Sequence, residues 1–158
     1  MTDVIIARAL HVLAVVVWIG GVSMATTVVL PAVRRGQLGS DRLPSFEAIE
    51  RRFIWQARTA VAIVGFTGFY MSARLHLWER FRHADFWWMH AMVAVWTLFV
   101  LLLFVAEPFI LHRHLHGWAA RRPAATFAWL HRVHWLLLVL SLITVFGAVA
   151  GSRGWPVF

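Results

Sequence analysis

The stretch ALHVLAVVVWIGGVSMATTVVLPAV, residues 9–33, runs for 25 positions between Arg8 and Arg34 without a charge. A helix needs about 20 apolar residues to cross a hydrocarbon core ~30 Å thick. Three further runs follow the same rule. Residues 53–73 are interrupted only by Arg58, residues 86–106 lead into an apolar pattern that reaches Leu111, and residues 133–152 close the set. The pattern predicts an all-α integral membrane protein, with spans at about 7–33, 53–74, 86–111 and 127–151 in a single domain over 1–158. The runs are continuous rather than alternating, which favours helices over a barrel. Short connections predict an antiparallel four-helix bundle.

Composition agrees with that reading. Of 158 residues, 61% are hydrophobic and 14% charged, and mean hydropathy is +0.71. An ordinary soluble domain carries roughly 25% charged residues, and disorder requires still more charge with less apolar content. Cysteine is absent, which excludes disulfides, thiolate catalysis, zinc–thiolate sites and iron–sulfur clusters. Lysine is absent as well, so all fifteen basic residues are arginine. The first run is too long for a signal-peptide apolar region and no basic segment precedes it, so it reads as a retained span.

Arginine sets the expected orientation. Arg34, Arg35, Arg42, Arg51, Arg52, Arg113, Arg121, Arg122 and Arg132 fall on one side, and Arg8, Arg74, Arg80, Arg82 and Arg153 on the other. This predicts a multi-pass protein of the cell inner membrane with both termini on the outer, periplasmic side. The net charge of +8 is accounted for by these flanking arginines, which also meet anionic lipid. With no basic face or reader module, nucleic acid is not an expected partner.

Nine histidines are placed by depth. His11 and His90 lie about one turn inside the outer ends of the first and third spans. His76 and His83 lie in the second connection, and His112, His114 and His116 at the inner end of the third span. His131 and His134, three apart, share a helical face. A histidine within a bilayer either bonds a neighbouring helix or serves a function. Two at matched depth, His11 and His90, suit the axial nitrogens of heme b in a four-helix bundle. Gly20, Gly21, Gly65 and Gly68 would make room for a porphyrin, and Trp18 and Trp96 would line its pocket. Trp87, Trp88, Trp118, Trp129 and Trp155 read as an interfacial belt. A second heme would use His134 with an inner histidine such as His112. Arg58 and Glu107, at matched inner depth with His131, Arg132 and His134 nearby, predict an ion pair. That pair is a structural clamp in one reading, and a proton path, quinone-head site or propionate clamp in another.

The residues also resemble a family. Ala7-Arg8-Ala9-Leu10-His11-Val12-Leu13, followed by Val17-Trp18-Ile19-Gly20-Gly21, resembles the first helix of HemJ-type protoporphyrinogen oxidases and CopD-type copper-resistance membrane proteins. Glu50-Arg51-Arg52-Phe53 resembles the Glu-x-Arg stretch of the HemJ group. Gly68 sits where that group's second helix tends to carry a glycine, and Trp88-Met89-His90-Ala91-Met92 resembles its Trp-Leu-His-x-Lys motif. The resemblance implies a four-helix core, bound heme b, and His11 and His90 as the matching functional histidines. Met92 stands where the family carries lysine, and the Asn-Glu-x-Pro stretch of the fourth helix is not found. These departures separate heme binding from porphyrinogen oxidation.

Three alternatives to a b-type cytochrome exchanging electrons with a quinone or porphyrin-like partner follow. Met71, Met89 and Met92 near His11 and His90 would suit Cu(I) in a copper-handling protein. An oxidase acting on protoporphyrinogen would have to manage without the lysine. A structural subunit would use its histidines only between helices. Exposed glycine faces permit a homodimer.

Overall fold

The computed structural model describes residues 1–37, 42–111, 117–118 and 121–154; the side chains of 42–47 and 110–111 are not described. His112, His114, His116 and Trp155 lie outside the described residues. Those residues are overwhelmingly helical, with no strand among them. Helix α1 covers Thr2–Arg34, its segment Ala25–Val29 being wound in the wider π register. Helix α2 covers Arg42–Arg74. Two 3₁₀ turns, Leu77–Arg82 and Ala84–Phe86, lead to helix α3 at Trp87–Val100, which continues in the π register over Leu101–Leu111. Helix α4 covers Pro123–Ser152.

The helices alternate in direction. Gly21 of α1 meets Phe53 of α2, while His11 meets Gly68. Gly65 of α2 meets Trp96 of α3, and Arg58 reaches Leu103 and Glu107. Gly147 and Gly151 of α4 meet Trp87 and Trp88 at the start of α3. His131 of α4 bonds Thr26 of α1. Each neighbouring pair is therefore antiparallel, and the order α1–α2–α3–α4 closes into a ring. Trp18 and Phe99 meet across its diagonal, edge to face, with ring centroids 4.7 Å apart. Two ends are named here by the residues of α1 that mark them, the Thr2 end and the Arg34 end.

Three helices are long and apolar enough to span a membrane: Thr2–Arg34, Ala84–Phe109 and Pro123–Ser152. Helix α2 falls short of that standard, since Gln56 and Arg58 interrupt its apolar run and its first turns are polar. It begins at Arg42, well before the apolar run at 53, because the segment after Pro44 is made of good helix formers. Helix α4 likewise starts early, at Pro123, where a proline needs no N–H partner.

The core is narrow. Trp18, Val22, Ala60, Val61, Val64, Phe99, Leu137 and Leu138 form one buried cluster, and Leu30, Val33, Phe127 and Leu130 form a second towards the Arg34 end. Outside it, Ile5, Leu13, Val16, Phe66, Phe146 and Val149 are all more than half exposed. Soluble monomers rarely present apolar surface on this scale. The outer face is suited to lipid, and the protein is an all-helical membrane bundle.

Candidate functional site

At the Thr2 end, His11 points from α1 into α2. Its Nδ1 lies 2.9 Å from Thr67 Oγ1. The Thr67 hydroxyl spends its one proton on the carbonyl of Ile63, at 2.6 Å, one turn back in its own helix. It can therefore only accept from His11, which fixes the imidazole with its proton on Nδ1 and leaves Nε2 as the lone-pair nitrogen. Gly68 makes room for the ring: a Cβ there would stand 3.4 Å from His11 Cε1.

His90 obeys the same logic with the nitrogens exchanged. Its Nε2 donates to the Phe81 carbonyl at 3.0 Å, and the Phe81 ring packs edge-on against it at 5.5 Å. Nδ1 is left with the lone pair. His90 is exposed and turned towards the 3₁₀ connection, whereas His11 is half-buried against α2. The structure gives the two rings different neighbours at the same end of the bundle. His134 donates Nδ1–H to the Leu130 carbonyl of its own helix at 2.9 Å, leaving Nε2 unshared.

These donor sets fit an iron porphyrin chemically. Ligating histidines characteristically tie one ring nitrogen to an acceptor and present the other. Trp18 adds a buried indole N–H with no hydrogen-bond partner among the described residues, seven positions from His11. Not all the expected slot remains. Gly21 is filled by the Phe53 ring, and Gly65 by Trp96, whose nearest ring atom would lie 2.6 Å from an added Cβ. Trp96 also donates Nε1–H to the Val61 carbonyl at 2.9 Å. Aromatic rings thus seat in the Gly21 and Gly65 notches, and Trp18 packs on Phe99. Gly20 faces open space, and Gly68 borders His11. Trp87 and Trp88, read as belt residues, sit on Gly147 and Gly151, while Trp118 and Trp129 are exposed. Met89 is buried in packing, and Met92 is half-buried one turn along α3. Among the described residues no group of three or more His, Cys, Asp or Glu is placed to hold a metal ion.

The half of the bundle towards the Arg34 end contains a device that the charges alone do not reveal. In the π register a carbonyl looks five residues ahead for its N–H. For Leu103 that residue is Pro108, and for Thr26 it is Pro31. Proline has no N–H to give, so each carbonyl must find a donor elsewhere. Arg58 crosses from α2 to supply the first, with Nε at 3.0 Å and Nη2 at 2.7 Å from Leu103 O. Nη2 also meets Glu107 Oε2 at 2.7 Å, and the Trp55 and Phe104 rings flank the guanidinium at 5.7 and 5.6 Å. His131 crosses from α4 to supply the second, with Nε2 3.0 Å from Thr26 O. Arg34 Nη1 approaches its other nitrogen, Nδ1, at 2.8 Å. Since a guanidinium can only donate, His131 accepts there through Nδ1, and Nε2 is the nitrogen that donates to Thr26 O. The contact of Trp135 Nε1 with the same Nε2 at 3.1 Å is then not a second hydrogen bond.

Arg58 and Glu107, expected at matched depth, are brought into contact. His131, expected only as a neighbour, turns out to be a joint between α1 and α4. The signal that could have found both joints is the proline five residues after a carbonyl in an otherwise apolar run. Comparison with known proteins finds no matching family model, curated protein or solved structure.

Proposed function

We propose that the chain is a four-span protein of the inner membrane, with both termini outside, that holds heme b and exchanges electrons with a quinone or porphyrin-like partner. The observation that carries this reading is the state of His11: an imidazole in an apolar helix, oriented through Nδ1 by Thr67, with Gly68 making room for the ring. His11 would hold the iron through Nε2, and His90 would contribute through Nδ1. Heme supplies one-electron chemistry at the iron. The chain's own part is to orient the imidazoles, exclude water with its apolar face, and set the polarity around them. The resemblance to HemJ-type and CopD-type proteins supports the same assignment through its short motifs.

The test is an absorption spectrum of the protein purified from heme-replete cells, oxidised and then reduced with dithionite. A Soret band that sharpens on reduction is expected, and His11→Ala should abolish or shift it. A wild-type protein without that band overturns the proposal. Stoichiometric copper in colourless protein would support the copper reading instead. Unchanged spectrum, metal content and activity in the His11→Ala, His90→Ala double variant would leave only a structural role.

A further inference from the structure

At the Arg34 end, the start of α4 borders a cavity of about 660 Å³ lined by Trp118, Arg121, Arg122, Ala125, Thr126 and Trp129. Its size is that of a small-molecule site. Two backbone hydrogen bonds frame the wall: Arg122 N–H donates to the Trp118 carbonyl at 2.8 Å, and Thr126 N–H to the Arg122 carbonyl at 3.0 Å. The Thr126 hydroxyl donates to that same Arg122 carbonyl at 3.0 Å, so its oxygen remains an acceptor only. Arg121 and Arg122 are both exposed, and among the described residues neither has a carboxylate within ion-pair distance. The two tryptophans are each about half exposed, at 50% and 47%.

We infer that this cavity binds the headgroup of an anionic phospholipid. The argument is one of charge and depth. Two unpaired guanidiniums present planar donor forks, which suit phosphate oxygens. Indole rings beside them are the side chains most at home at headgroup level, with the ring body towards the acyl chains. The apolar exterior of α4 continues from the cavity through Trp129, Leu136 and Val139, giving the acyl chains a surface to follow. On the proposed topology this end faces the inner leaflet, where anionic lipid meets flanking arginines. A soluble anion would satisfy the arginines but would gain nothing from the indoles.

The experiment is lipid retention by the full chain in a neutral detergent, read by native mass spectrometry against added phosphatidylglycerol or phosphatidylcholine. Wild type should prefer phosphatidylglycerol. Arg121→Gln with Arg122→Gln should weaken that binding roughly thirtyfold, at about 1 kcal/mol per arginine. Removing the same charge at the other end, with Arg80→Gln and Arg82→Gln, should change it less than about twofold. Ala125→Glu, at an exposed first-turn position that favours an acidic residue, keeps the helix and should abolish the preference by repulsion. Equal binding of the two lipids by wild type overturns the inference, as does equal loss in the two double-arginine variants. Displacement by millimolar inorganic phosphate at unchanged lipid would show a plain anion site and would overturn it too.

Discussion

At the Arg34 end the helices are joined through carbonyls that proline has deprived of a partner; at the Thr2 end α3 and α4 are joined through aromatic rings seated in glycine notches. Arg58 and His131 answer the first kind of defect, and Trp87 and Trp88 on Gly147 and Gly151 make the second kind of joint. The contrast teaches where each chemistry is tolerable. Apolar surface gives no hydrophobic drive for helices to associate inside lipid, so close packing and interhelical hydrogen bonds must hold them. A ring in a notch supplies packing alone. A captured carbonyl supplies direction and a specific partner, and it penalises the loss of that partner.

The largest effect should follow Arg58→Leu. It strands both the Glu107 carboxylate and the Leu103 carbonyl, and should destabilise the folded protein by about 3–5 kcal/mol in detergent unfolding. Adding Glu107→Leu should recover part of that loss, because no charge is then left alone. If the double variant is worse than the single, the pair is not the joint described above. Next in size, Gly151→Ala drives a Cβ into the Trp88 ring and should cost about 1–3 kcal/mol. His131→Ala should cost about 1–2 kcal/mol, the price of one unsatisfied acceptor. Combined with Pro31→Ala, which returns an N–H to the Thr26 carbonyl, that cost should shrink by around 1 kcal/mol in a double-mutant cycle. A cycle with no coupling would break the link between proline and joint. Smallest of all, Gly20→Ala meets nothing within contact distance and should lie within about 0.5 kcal/mol of wild type.

Much of this was legible beforehand. Uncharged runs located the helices, and matched depth brought Arg58 to Glu107, because a charge in lipid has few partners to choose from. His11 was legible as an inward imidazole. What fills the notches at Gly21 and Gly65 was not legible, since a missing side chain says that something approaches and not what. His131 was underrated because its role arises from Pro31, a hundred residues away in sequence. The early start of α2 at Arg42 was missed because a charged helix outside the apolar run leaves no mark in hydropathy.

The two tryptophan–glycine seats between α3 and α4 have a mechanical consequence. They lie one turn apart on α4 but on adjacent residues of α3, Trp87 with Gly147 and Trp88 with Gly151, and act as pegs in sockets. Sliding either helix along its axis would lift both rings onto side chains that have no space for them. The start of α3 is therefore pinned to the end of α4 in axial register. Any motion that reaches His90, two residues beyond Trp88, must come as a swing about that pinned end rather than as a piston stroke.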